Sequence, residues 1–313
     1  MKRHEPAISG VVTHYRVENR PGAGEEAVLR ERLQTHDCGR VLDCAAGDGR
    51  FLALLAASCA RYTEIVAVDP DRDALDEARR SDLPRSVRFL RAAGEALPFA
   101  SASFDTACIS DGLHHVRNPL KVLSELRRVV VPGGVIIISE ILRAAVSDAA
   151  ATAIRLHHFK ARLDLRRGVR HRRTLSEPEL LRVVSEACSG PPGAVSAGEN
   201  PPAVEAPTLE APTAGAPAGK APAAETQAAV AGVEVVRVAQ GGQSAAQALN
   251  AEQRRAAHAE RLRDYMQALR RDTRYPRLRA VAETLAARVT ETGFTPPPRL
   301  LIFIRTAAET ASR

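Results

Sequence analysis

Over its first 140 residues the chain alternates short β-branched runs with segments of helical periodicity, and this alternation constrains the fold most. Parallel strands need a crossover between them, and a helix is the usual one, so the pattern calls for a parallel sheet with helices on its faces. Strands are expected at Arg40–Cys44, Glu64–Val68, Val87–Arg91, Thr106–Ser110 and Val135–Ser139. A helix starts near Gly49, with Phe51, Leu52, Leu54 and Leu55 on its buried side. A second follows Asp71, with Ala74, Leu75 and Ala78 at helical spacing. The third, Pro119–Val130, opens with Asn118 as N-cap and a proline at the first helical position. Pro132-Gly133-Gly134 then turns the chain into the fifth strand.

Beyond that point the texture changes. Ser147–Asp164 and Ser176–Cys188 read as helices, the latter with Ser176 and Glu179 as a capping box. Residues 190–232 are mostly Pro and Ala, with no Arg and no aromatic, and are expected to stay disordered because they bury too little to offset their ordering entropy. A strand at Val233–Ala239, helices at Ser244–Arg271 and Pro276–Thr292, and a last strand at Leu300–Ile304 complete the reading. Gly293 would stop the second of those helices. The chain thus divides into an N-terminal helical extension (1–36), a core (37–189), a linker (190–232) and a segment (233–313) that completes the same domain.

Composition narrows the class. With 45% apolar and 26% charged residues, most of the chain can bury a core. The absence of Trp and scarcity of other aromatics argue against a stacking platform for single-stranded nucleic acid. A formal charge of +7 permits an acidic partner without demanding one. Cys38, Cys44, Cys59, Cys108 and Cys188 form no zinc-type spacing, and are expected as small core residues in a reducing cytosol. No apolar run is long enough to span a bilayer, and the basic N-terminus lacks the apolar stretch of a secretory signal. The expectation is a soluble, cytoplasmic protein.

Chemistry concentrates in Val41–Phe51, VLDCAAGDGRF. A strand ends at Asp43, and the small residues Ala45, Ala46, Gly47 and Gly49 lead straight into a helix. Small residues let a ligand approach the backbone, and the helix start offers unpaired N–H donors. A tight turn with no ligand remains the plainer alternative. The next strand ends at Asp69, where doubly wound sheets place an acid for the ribose hydroxyls of an adenosine; capping the following helix is the other role open to Asp69, and Asp71 suits it equally. The dinucleotide fingerprint would need a third glycine where Leu52 stands, which disfavours an NAD-dependent dehydrogenase. Asp43 is also unwelcome beside a pyrophosphate, yet suits a cationic ligand carrying an amino group.

In these residues the chain resembles the class I S-adenosylmethionine-dependent methyltransferases, in the type 11 branch that includes ubiquinone and menaquinone methyltransferases. The family's D-x-G-x-G-x-G loop is met by Asp43, Ala45, Gly47 and Gly49. GEALPFASASFD (94–105), SDGLHHV (110–116) and ELRRVVVPGGVIIISE (125–140) resemble its later segments, in the family's order. The resemblance covers residues 37–140. It implies an α/β fold: a doubly wound, Rossmann-like sheet of seven strands, the last antiparallel between the fifth and sixth, here with a helical insertion between strands six and seven. It also implies S-adenosyl-L-methionine as cofactor, held by Asp43, Ala45, Gly47, Gly49, Asp69, Pro70, Gly94, Glu95 and Ser110. Ala93 replaces an Asp that the family uses toward adenine, leaving that task to backbone groups near Gly94 and Glu95.

Catalytic residues are less legible. Asp111 replaces a usually apolar residue beside the donor methyl. His114 and His115 suit either acid–base work or a structural place. His157, His158 and His171 fall outside the resemblance and read as solvated or substrate-facing. Residues Arg155–Arg173 hold eight Lys/Arg against one acid, Asp164: a solvated face, a site for an anionic substrate, or an RNA stripe. With the helices between Ser244 and Thr292 they are expected to roof the acceptor site. A small-molecule acceptor is the leading reading, with an RNA methyltransferase and a non-catalytic cofactor-binding regulator as alternatives. No metal is expected.

Overall fold

The computed structural model describes residues 15–189 except 22, 85 and 167, then 230–239, 276–292, 295 and 297–307. The helix expected over Ser244–Arg271, the stop at Gly293 and all of the linker up to residue 229 lie outside the described residues. Eight strands form one sheet: β1 (Tyr15–Pro21), β2 (Arg40–Cys44), β3 (Glu64–Asp69), β4 (Val87–Arg91), β5 (Phe104–Ser110), β6 (Val130–Ile141), β7 (Val230–Ala239) and β8 (Arg299–Thr306). Their order is β1-β7-β8-β6-β5-β2-β3-β4. Every pairing is parallel except those of β8, which runs antiparallel between β6 and β7.

The count corrects the expected seven strands, and the extra strand shows that the expected N-terminal helical extension is partly strand. Among the described residues of that stretch Glu25–Leu33 is helical (α1), while Tyr15–Pro21 adds to the sheet edge against β7, Tyr15 opposite Val233. The segment YRVENRP offers a single aliphatic residue, Val17, and its partner strand lies more than two hundred residues away. Local pattern therefore carries no signal for it. Charge holds it instead: Arg32 on α1 pairs with Glu18 of β1 and Glu234 of β7, each at 2.6 Å. Charged side chains on an edge strand also discourage pairing with another molecule.

Further helices are α2 (Arg50–Ser58), α3 (Arg72–Arg80), α4 (Pro119–Val129), α5 (Asp148–Arg166), α6 (Glu177–Ser189) and α7 (Pro276–Thr292). Their starts follow the expected signals. Asn118 accepts from the Lys121 N–H at 3.1 Å, Asp71 from that of Asp73 at 2.9 Å, and Glu179 reaches back to the Ser176 N–H at 2.7 Å.

Side-chain alternation along the strands builds two apolar layers. Val41, Ile65, Ala67, Cys108 and Ile137 face α1 and α2 with Leu29, Leu52 and Leu55. Leu42, Val66, Val68, Ile109 and Ile138 face α4 and α6 with Leu123, Leu126 and Leu180. A satellite cluster joins α5 to α7 through Phe159, Leu163, Leu278, Ala282 and Leu285. Cys44 and Cys108 are buried free thiols, as expected, but Cys38 and Cys59 are joined in a disulfide between the approach to β2 and the end of α2. A separation of 21 residues has no recognisable spacing, so the sequence did not single this pair out. Among the described residues no helix is long and apolar enough to cross a membrane.

Candidate active site at the carboxyl edge of the sheet

Strands β2, β3, β5 and β6 all end at one edge, and in open α/β sheets ligands bind in the crevice there. β2 delivers Asp43, 1% exposed, with one carboxylate oxygen 3.3 Å from the Cys108 thiol and the other buried without a partner. Burial pushes its carboxyl up to about 7. The turn that follows is wound through left-handed backbone: Ala45, Gly47 and Gly49 have φ of 58°, 55° and 81°. Gly49 is the N-cap of α2 and supplies no side chain to the first helical N–H groups. A Cβ at Gly47 would meet nothing within 4 Å, so the backbone there faces open space.

Asp69 ends β3 beside this turn and braces it. One oxygen accepts from the Gly47 N–H at 3.0 Å and the other from the Asp71 N–H at 2.8 Å. Burial pushes Asp69 up from the usual carboxylate range, against those two hydrogen bonds. Helix capping falls to Asp71, so the two acids expected as alternatives divide the work. Pro70 is exposed, its carbonyl accepting from Arg91 at 3.0 Å. Gly94 is buried where a Cβ would stand 2.8 Å from the Cys44 sulfur. The Glu95 carboxylate accepts from the backbone N–H groups of Arg117 and Asn118 at 2.7 and 3.2 Å, tying the loop after β4 to the loop before α4. Ser110 ends β5 opposite Ser139.

The residue after Ser110 is tied into an ion pair. Asp111, itself left-handed at φ 48°, is held by Arg299 through contacts of 3.1 and 2.7 Å and accepts from the Ile141 N–H at 3.0 Å. Burial opposes its charge, but Arg299 outweighs that and keeps the carboxyl below its ordinary value. Arg299, first residue of β8, also donates to Ser139 at 2.8 Å and lies 3.3 Å from Glu25 of α1; Ser139 in turn bonds Glu25. Sequence reading missed Arg299, Glu25 and Ser139. Antiparallel insertion of β8 brings its first residue to the edge where its neighbours end, and only the assembled sheet reveals that.

His114 is buried and its Nδ1 bonds Glu140, which is fully buried near the end of β6. His157 and His171 gather on His114, and His171, at 1% exposed, does not lie on a solvated surface, one of the two places expected for it. In the basic segment Arg155, Arg162, Arg166, Arg170, Arg172 and Arg173 stay exposed, while a few polar contacts tie it down. Lys160 pairs with Asp164 at 2.5 Å, and Arg172 bonds the carbonyl of Arg117 at 2.9 Å and, through its own N–H, that of His114 at 2.9 Å. His115 stacks on His171 with ring centroids 4.0 Å apart.

Comparison with known proteins agrees with this arrangement. A family model described as a methyltransferase domain matches residues 42–138. A demethylmenaquinone methyltransferase of Clavibacter sepedonicus is 45% identical over 102 residues, 32% of this chain and 40% of that one. A ubiquinone/menaquinone biosynthesis C-methyltransferase of Coxiella burnetii is 32% identical over 129 residues, 40% of this chain and 51% of the relative. An uncharacterized methyltransferase of Mycobacterium leprae is 36% identical over 111 residues, again 40% of its length. The chain spans about half or less of these relatives. Residues 42–138 thus match a methyltransferase domain, in line with the family that the Asp43–Gly49 loop resembles.

Proposed function

We propose that this protein transfers a methyl group from S-adenosyl-L-methionine to a small-molecule acceptor. The observation that carries the reading is the Asp43–Gly49 turn. It combines a buried carboxylate oxygen lacking a partner, left-handed backbone at Ala45, and open space over Gly47. A ligand with an amino group and a flat, polar nucleoside fits that chemistry. S-adenosylmethionine, when bound, supplies a methyl group already activated by its sulfonium. Asp43 takes the amino group, the backbone of Ala45, Gly47 and Gly49 lines the amino-acid portion, Asp69 and Pro70 meet the ribose, and Gly94, Glu95 and Ser110 border the base. Helices α5 and α7 exclude water from the acceptor side, a sufficient contribution because the donor needs alignment more than acid–base help. The named quinone methyltransferases support a small acceptor.

Asp43 gives this reading a pH signature. A carboxyl with its pKa near 7 is increasingly protonated below that value and can then no longer pair with an ammonium. Donor affinity measured by calorimetry should fall from pH 7.5 to 6, approaching about tenfold per unit below the pKa. Asp43→Asn should bind weakly at both pH values, with the slope gone. A wild-type affinity independent of pH would remove Asp43 from the donor site.

Acceptor class is tested with methyl-labelled donor and a cell extract. Label should enter the small-molecule or lipid fraction and depend on the added protein. Label in RNA would overturn the acceptor class while leaving the methyltransferase assignment intact.

A further inference from the structure

Three imidazole nitrogens converge beside this site without the protons they would need to satisfy one another. The Nε2 atom of His157 lies 3.2 Å from Nε2 of His114 and 3.0 Å from Nε2 of His171. The opposite nitrogens of the two outer rings are committed to carboxylates: His114 Nδ1 to Glu140, and His171 Nδ1 to Asp164 at 2.7 Å. An Nδ1–H donated to a carboxylate leaves Nε2 as a bare lone pair in a neutral ring. His157 then faces two lone pairs with one proton at most. Linear hydrogen bonding satisfies only one of the two contacts.

A divalent cation placed among the three rings would satisfy the facing lone pairs at once, and a carboxylate on the far nitrogen of an imidazole is the usual outer partner of a metal-bound histidine.

We infer that His114, His157 and His171 form a binding site for a divalent transition-metal ion, with Glu140 and Asp164 orienting two of the ligands. Three nitrogens at about 2.0–2.1 Å from one zinc ion stand roughly 3.2–3.4 Å apart, close to the two spacings His157 makes, 3.2 Å to His114 and 3.0 Å to His171. An all-imidazole set suits Zn²⁺ or a neighbour such as Co²⁺ or Ni²⁺, and not Mg²⁺ or Ca²⁺, which take oxygen ligands. His115 also has a ring nitrogen within 4.8 Å of ring nitrogens of His114 and His171, which makes it the alternative third ligand should His157 not take part.

Independent elements assemble the site. His114 follows β5, Glu140 belongs to β6, and His157 and Asp164 sit two turns apart on one face of α5. A turn at Gly168, φ 80°, reverses the chain so that His171 returns to the same point, latched by the Arg172 N–H on the His114 carbonyl. A bound ion would clip α5, and with it α7, to the carboxyl edge. The inference does not depend on the donor assignment, because it concerns binding alone.

The test uses the full-length chain freed of any affinity tag. Titrated with Co²⁺, it should take up one equivalent, with visible absorption characteristic of nitrogen ligation, and one equivalent of Zn²⁺ should displace the cobalt. Mg²⁺ should do neither. His157→Ala should weaken binding at least tenfold, and Asp164→Asn, which removes only the orienting carboxylate, by about 10- to 100-fold. His158→Ala should bind as the wild type does, since its Nε2 bonds Thr174 at 3.1 Å, outside the convergence. X-ray absorption at the zinc edge of the wild-type protein needs no folded variant, and should count three or four imidazole nitrogens. Absence of saturable binding by both ions, undiminished binding by folded His157→Ala, or a zinc shell with fewer than three imidazoles would each overturn the site.

Discussion

Replacing Arg299 with methionine should destabilise the protein by about 2–3 kcal/mol, less than the penalty for a fully buried pair because the side chain of its partner Asp111 is 40% exposed. Arg299 is 8% exposed and faces Asp111 and Glu25, with Ser139 as a further acceptor. Methionine fills similar volume, so the loss would come from stranded carboxylates and not from a cavity. The sign of its pH dependence follows. Burial already raises Glu25 and Glu140, and without the guanidinium these two would rise further and Asp111 would rise from its lowered value. Carboxyls with raised pKa values take up protons more readily in the folded than in the unfolded state, so falling pH favours the folded variant. The gap between wild type and Arg299→Met should therefore narrow from pH 7.5 to pH 5. Urea unfolding at both values measures it. A gap under about 1 kcal/mol at pH 7.5 would mean that these charges are solvated and the buried network is not what secures β8.

Asp69→Ala should strike the donor site and spare the fold. Its carboxylate braces the Gly47 and Asp71 N–H groups, and in the proposed complex it also meets the ribose. Hydrogen bonds to a charged group contribute about 1.5–3 kcal/mol, so donor affinity should drop roughly ten- to hundredfold. Asp69→Asn should recover part of this, because its amide oxygen can still accept one of the two backbone bonds. Unchanged donor affinity in a folded Asp69→Ala protein would leave the residue with a bracing role only.

How much was legible in the sequence differs from element to element. Asn118-Pro119, Asp71 and Ser176 with Glu179 announce helix starts locally, and the structure has α4, α3 and α6 beginning there. Buried parallel strands such as EIVAVD advertise themselves as continuous apolar runs. β1 does not, because seven mostly polar residues owe their conformation to a partner at Val233. The same distinction separates the halves of the site. The Asp43–Gly49 turn is a contiguous motif that can be read directly. Arg299 meets Asp111 across 188 residues, and His114 meets His157 across 43, so neither relation has a local signature. A weak hint did exist: five of the nine histidines fall between 114 and 171, at 114, 115, 157, 158 and 171. Nothing in their spacing says that α5 and the Gly168 turn point three of them at one spot.

The central claim is that the carboxyl-edge crevice of this domain holds S-adenosylmethionine and not a dinucleotide. Calorimetric titration of the full-length chain at pH 7.5 with S-adenosylmethionine, and separately with NAD⁺, tests it most directly. Saturation at one equivalent of S-adenosylmethionine, with no heat of binding from NAD⁺, is the predicted result. Saturable NAD⁺ binding, or no S-adenosylmethionine binding at millimolar concentration, would contradict it.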